Sequence, residues 1–237
     1  MPSQIQATST SKTRELTRPG RRASRVAMLC LAGAFVGGPS VYAVDGVILI
    51  DQARAMAGNV TPGDAPGFPV SITRPGSYRL ASNLTSPSAV AIQIDADGVT
   101  LDLNGFAIIG TYVFEDSPGA ISGNNRRHVR IHNGTIMGFS FPIRFEGDAQ
   151  FITLEKLNIN STTFFNSIPV LSVAIFLGRN LPAYSTIRDV VADGQIVLTC
   201  PSLVIDTIAD SGTFVWALPY TGLASSFPAN CRGANVF

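Results

Sequence analysis

The chain is poor in charge. Only 14% of its 237 residues are Asp, Glu, Lys or Arg; it has 2 histidines and 3 cysteines, and its formal net charge is +1. No basic block follows the N-terminal region, so the electrostatic footprint of a nucleic-acid binder is missing. No G-x-S-x-G elbow, phosphate loop or dinucleotide fingerprint occurs, and the nucleophile and nucleotide signatures are absent with them. Beyond residue 43 no apolar run reaches about 18 residues, so nothing there predicts a transmembrane segment. Val170–Gly178 is apolar but only strand-sized. Helix signals are scarce as well.

The N-terminus is different. Arg21, Arg22 and Arg25 precede an apolar core, Val26–Gly38, and Val41-Tyr42-Ala43 supplies the small residues of a cleavage site. This pattern predicts a signal peptide over 1–43 and export to the periplasm, the extracellular space or the cell surface. Removing it leaves 11 basic and 15 acidic residues, a mature charge of −4. Cys30 departs with the signal, and an even pair remains in an oxidising compartment. A disulfide between Cys200 and Cys231 is expected, with two buried thiols as the alternative. Two Cys without a nearby His make a poor zinc set.

The mature chain reads as one domain, 44–237. Asp45–Ala57 is its best helix candidate, with Gly58-Asn59 as the stop, and is expected to cap the first turn of the fold over 44–58. Val60–Pro69 reads as a Pro- and Gly-rich loop. Short β-rich segments then follow. VTLDLNGFAIIG (Val99–Gly110) and VRIHNGTIMGF (Val129–Phe139) repeat one pattern, an alternating apolar run, Asn-Gly, and a second apolar run. In the first, Val99, Leu101 and Leu103 point one way and Thr100 and Asp102 the other. Asn104-Gly105 turns the corner, since both tolerate left-handed backbone angles. Asn133 is expected to continue an amide ladder from Asn104, with Asn158 or Asn160 beyond. Anchors at Val99, Val129, Phe151, Ser185 and Ser202 scatter around the coil length of a β-solenoid.

With these runs, GFPVSITRPGSYRLASNLT (Gly67–Thr85) and AIQIDADGVTLDLNGFAI (Ala91–Ile108) resemble the right-handed parallel β-helix repeat proteins of bacterial export, in the pectin lyase-like fold superfamily. The resemblance covers about residues 45–210. It implies an all-β fold, a short right-handed single-stranded parallel β-helix with a short N-terminal capping helix, coils over 67–210 and a C-terminal cap over 211–237. A β-sandwich is the alternative. It does not by itself imply an activity. The Asn-Thr-Asp, Asp-Asp, Gly-His-Gly and Arg-Ile-Lys sets of the β-helix hydrolases are not in this sequence.

Stacking the coils gives an outward column of alternating charge. Asp102 comes first, then Arg130 with His132, Glu155, Arg188 and Asp206. It reads as a charge ladder that stabilises stacking, or as a polar groove for an extended saccharide. A catalytic reading would draw on Asp102, Arg130 and Lys156. The resemblance to β-helix lyases suggests calcium as an alternative cofactor, with Asp95 and Asp97 as ligands and Arg130 or Lys156 as the base. The other reading is no cofactor, Asp97-Gly98 being an ordinary turn. His128 and His132, four apart, are expected on one face of a strand. They sit in the cluster Arg126-Arg127-His128-Val129-Arg130, which could meet an acidic glycan or a lipid headgroup. Phe214, Trp216, Tyr220 and Phe227 are expected in the C-terminal cap. The function expected is a non-catalytic glycan-binding, surface-binding or scaffold module. The alternative is a small polysaccharide lyase or glycoside hydrolase acting on an acidic polysaccharide.

Overall fold

A computed structural model describes residues 46–111, 119–161, 164–165, 168–169, 173–178, 184–199, 201–209, 213–216, 223–224 and 232–236. The expected signal peptide, Cys200 and Cys231, and Tyr220 and Phe227 lie outside these residues. In chain order the elements are β1 (Val47–Ile50), α1 (Gln52–Ala57), β2 (Val70–Ile72), β3 (Gly76–Leu80), β4 (Leu84–Ser86), β5 (Ile92–Ile94), β6 (Val99–Asp102), β7 (Ala107–Gly110), β8 (Ile121–Asn124), β9 (Arg130–Phe139) and β10 (Ile143–Glu146). Then come β11 (Thr153–Ser161), β12 (Phe164–Phe165), β13 (Ile168–Pro169), β14 (Val173–Leu177), β15 (Thr186–Asp193), β16 (Gln195–Thr199), β17 (Leu203–Ala209), β18 (Thr213–Trp216), β19 (Leu223–Ala224) and β20 (Arg232–Val236).

The chain is nearly all β, and it alternates between two sheets. The larger runs β1-β3-β6-β9-β11-β15-β17-β20, with β4 and β7 alongside. The second runs β2-β5-β8-β10-β14-β16-β18-β19. Among the described strands only β12–β13 and β18–β19 pair antiparallel. Parallel neighbours need a crossover between them. Here the crossover of each sheet carries a strand of the other. A hairpin-linked sandwich would instead pair consecutive strands antiparallel.

The register follows the sequence anchors with one slip. Thr100 faces Arg130, Arg130 faces Thr153, Thr153 faces Thr186, and Thr186 faces Leu203. Val99, Val129, Ser185 and Ser202 each lie one residue before these partners. Ile152, not Phe151, holds that place before β11. Phe151 has a φ of 56°, which puts it in the corner before the strand.

Each strand buries alternate residues, as the pleat requires. On the larger sheet Tyr78, Leu101, Ile131, Leu154 and Ile187 stack rung on rung in one buried column. On the second sheet Val70, Ile92, Ile121, Ile143 and Ile175 do the same. Each contributes roughly 2 kcal/mol of hydrophobic stabilisation. Side-chain sizes also interlock between rungs. Gly123 faces Phe145, and a Cβ at Gly123 would lie 2.6 Å from the Phe145 ring.

The helix expected over Asp45–Ala57 is shorter. Val47–Ile50 is a parallel strand against β3, because the run Val-Ile-Leu-Ile fits a pleated surface better than a helix. α1 starts at Asp51, whose carboxylate accepts from the Arg54 N–H at 2.8 Å, and ends at Gly58 with a φ of 73°. Ala55 is buried in the core. Gln52 reaches the open edge of β4, which pairs only with β7. Its amide donates to the Thr85 carbonyl at 3.1 Å and accepts the Thr85 N–H at 2.8 Å. The side chain thus takes the place of a neighbouring strand. In the loop after α1, buried Asp64 accepts from the N–H groups of Val60 and Ser71. Towards the C-terminus, β18 and β20 fall in the stretch expected to cap the fold; each adds a parallel rung to its sheet.

Candidate functional site

The outward face of the larger sheet carries the charges. Across β3, β6, β9, β11 and β15 the register places Arg79, Asp102, His132, Glu155 and Arg188 in one column. Two sequence-expected members, Arg130 and Asp206, behave differently. Arg130 lies two residues earlier, opposite Thr100 and Thr153, and enters by its long side chain. Its Nε and Nη2 both donate to Glu155 Oε2, at 3.1 and 2.5 Å. Asp206 is not in the column, because Ile205 faces Arg188 and Asp206 sits in the corner at a φ of 45°. Lys156, the candidate base, is likewise at a left-handed position, with a φ of 51°, one residue past Glu155 in the strand. Arg79 is the member that sequence reading missed. It lies in the coil before the quoted repeats, and its spacing of 23 residues from Asp102 is the only signal for it.

Asp102 is the most heavily engaged group. Its Oδ1 accepts the Asn104 N–H at 2.8 Å and the Asn133 amide at 3.3 Å, and its Oδ2 accepts Arg79 Nε at 3.0 Å. His132 Nδ1 lies 3.7 Å from Oδ1. The expected amide ladder therefore does not form. Asn104 turns its amide to the Leu80 carbonyl, and Asn133 turns to Asp102. The corner beside Asn158 and Asn160 is taken by Lys156. The two Asn-Gly pairs differ as well. Asn104, Gly105 and Asn133 are left-handed, but Gly134 is needed for space, since a Cβ there would lie 2.3 Å from Leu103 Cβ and 2.7 Å from the Phe106 oxygen.

The environment sets the charges. Burial pushes the Asp102 carboxyl up, but the Asn104 N–H, the Asn133 amide, His132 and Arg79 together hold it below its ordinary value. The Arg130 hydrogen bonds lower Glu155, against a smaller effect of burial, with Arg130, Arg188 and His132 adding attraction. His132 is lowered, chiefly by burial, which with smaller repulsion from Arg130 and Arg79 outweighs the pull of Asp102 and Glu155. The column thus holds two ionised carboxylates around a neutral imidazole at neutral pH, with guanidinium groups at both ends.

The calcium candidates are held apart from this column. Asp95 and Asp97 lie before the turn at Gly98, and Asp102 follows it on the sheet face. Asp95 Oδ1 accepts the Gln93 amide at 3.0 Å. Asp97 Oδ1 accepts the Arg127 N–H at 2.9 Å and lies 3.9 Å from Arg126. No set of three His, Cys, Asp or Glu suited to a metal ion occurs among the described residues. Nor is any helix among them long and apolar enough to cross a membrane.

His128 does not share a face with His132. It sits in the corner before β9 with a φ of 57°, and its ring stacks on Phe151 at 4.9 Å and 3°. Phe151 stacks in turn on Tyr184 at 5.6 Å and 14°. All three have positive φ and all three are exposed. This row was legible in principle. The three rings immediately precede Val129, Ile152 and Ser185, which occupy one register position beside the successive parallel strands β9, β11 and β15.

Comparison with protein-family models, with curated proteins and with solved structures gives no match.

Proposed function

We propose that the chain is an exported, short right-handed parallel β-helix whose outer face binds glycan at a surface without cleaving it. One observation carries the choice against catalysis, the engagement of both carboxylates in the column: Asp102 accepts from Asn104, Asn133 and Arg79, and Glu155 accepts twice from Arg130. A glycosidase needs one carboxylic acid that stays protonated to donate to the leaving group, and its pKa is raised for that task. Asp102 and Glu155 are both lowered instead. Their strands are two rungs apart, about 9.6 Å, at the upper limit for an inverting pair. Spacing alone therefore leaves room for a hydrolase; the hydrogen bonds that hold both carboxyls low favour binding without cleavage. A lyase would need a free base beside the carboxylates; Arg130 is spent on Glu155, and Lys156 lies one residue past the column position.

What favours a glycan is the mixture on this face. Two guanidinium groups bracket two carboxylates and an imidazole in fixed register, and a row of exposed rings runs along one side. Sugar hydroxyls pair with the first, and sugar rings pack on the second. The alternative, a small lyase or glycosidase on an acidic polysaccharide, keeps Asp102 as its principal residue. The test is a screen of the protein on a glycan array, with and without calcium. Calcium-independent binding supports the module. Binding to none of the glycans would refute it and leave a scaffold.

A further inference from the structure

The N-terminal end of the fold presents the edges of β1, β2 and β4, and side chains close two of them. On β4, Gln52 bonds both the N–H and the carbonyl of Thr85. On β2, Asp64 accepts the Ser71 N–H at 2.6 Å. The Thr61 hydroxyl donates to the Ser71 carbonyl at 2.5 Å and accepts the Thr73 N–H at 3.1 Å. Polar side chains thus stand where a further strand would pair.

The edge of β1 differs. Alternate residues of a parallel strand bond to opposite sides. The Ile50 carbonyl accepts from Ala81 on the β3 side, so Val47 and Leu49 turn their N–H and carbonyl groups outward. Arg54 covers the Leu49 carbonyl alone, at 2.6 Å. Among the described residues nothing bonds to the Val47 or Leu49 N–H or to the Val47 carbonyl. The strand reads Val-Ile-Leu-Ile, with no charge or proline to blunt it. Its inward residue Ile48 heads the column of Tyr78, Leu101 and Ile131. Those three are buried and Ile48 is only half-buried, so the apolar column ends unfinished at this edge.

We propose that β1 pairs antiparallel with β1 of a second copy of this chain, about a two-fold axis at Ile48. Val47 would exchange N–H···O bonds with Leu49 of the other copy, and Leu49 with its Val47, the Arg54 guanidinium turning aside. Ile48 would meet its own counterpart and carry the buried column through the junction. A second copy fits because a two-fold contact needs a self-complementary patch, and this uncharged edge does not repel itself. One part rests on the export reading. With the leader cut after Ala43, only Val44, Asp45 and Gly46 precede β1, too few to turn back as a strand. The axis stands perpendicular to the joined sheet, so both charged outer faces lie on one side and stay open.

The test expresses the full chain with its leader, purifies it after export, fixes its N-terminus by mass spectrometry and follows its sedimentation at rising concentration. A leader-free dimer that dissociates on dilution is expected. Leu49→Pro removes an outward N–H and leaves the β3 pairing intact, and Val47→Lys puts a charge on the edge. Each should weaken the dimer about tenfold or more, with the monomer's melting temperature unchanged. Val191→Lys, at an exposed apolar position on β15, should not. Ile48→Cys should cross-link the copies on oxidation, since opposed residues of a non-hydrogen-bonded antiparallel pair have Cα atoms about 4.5 Å apart. A leader-free chain that stays monomeric would overturn the pairing and leave export standing. A monomer that keeps its leader would overturn both. A dimer that survives both Leu49→Pro and Val47→Lys, or that only Val191→Lys breaks, would overturn this edge as its seat.

Discussion

Nδ1 of His132 lies 3.7 Å from Oδ1 of Asp102, and the two residues face each other across adjacent parallel strands. The imidazole stays neutral between carboxylates because it is partly buried and is flanked by Arg79 and Arg130. The folded pKa of His132 is below its unfolded value, near 6.5. A group depressed in this way contributes stability above the unfolded pKa and loses it as pH falls through the folded one. The protein is therefore expected to lose stability as pH drops below about 6.5, and His132→Gln should flatten that part of the curve. Urea midpoints across this pH range measure it. An identical slope in the variant would refute the assignment.

Asp102 and Glu155 act lower on the pH scale. Both are depressed in the folded chain, so their contribution is present above the ordinary carboxylate range and disappears as pH falls below about 4. Asp102→Asn keeps the shape of the side chain but removes its charge, and should cost about 1 kcal/mol at neutral pH. The cost should vanish in acid. A penalty independent of pH would mean that shape, not charge, is what Asp102 supplies.

The periodic parts of the fold were legible in the sequence. VTLDLNG and VRIHNG state the pleat and the corner directly, and four of five anchors fall in register. What the sequence hid is long-range. Val47–Ile50 directly precedes a true helix and reads as part of it, so its pairing with Ser77–Leu80 has no local signal. Asp206 and Lys156 each sit one residue past the column position, which Ile205 and Glu155 hold, at left-handed corners that sequence alternation does not announce. Arg130 reached the expected carboxylate from a neighbouring column, because a long side chain overrides the register.

Close backbone approach fixes a second group of expectations. Gly138 has a φ of 77°, and a Cβ on it would lie 2.5 Å from the Gly110 oxygen. A Cβ on Gly110 would lie 2.3 Å from the Gly138 oxygen. β7 and β9 can meet there only with glycine on both. Gly138→Ala should destabilise the protein by about 3 kcal/mol or more, while Gly105→Ala, whose Cβ meets nothing within 4 Å, should cost about 1 kcal/mol from its left-handed φ alone. Thermal melts of the two variants compare them directly, and equal losses would contradict the packing argument.

The edge of β4 supplies another. Gln52 covers it through two hydrogen bonds to Thr85, and Gln52→Leu would leave that N–H and carbonyl open. A loss of about 1–2 kcal/mol is expected, together with concentration-dependent association through the exposed edge. Light scattering at matched stability separates the two effects. A monodisperse variant at high concentration would show that the edge needs no cover.

The central claim is that this outer face holds a glycan and does not cut it. The most direct measurement incubates the protein with an acidic polysaccharide that it binds, and follows unsaturated uronate absorbance together with reducing-end release. The account predicts binding, with neither signal rising above a protein-free control. Turnover that disappears in Asp102→Asn would contradict it, and would make the charged column an active site.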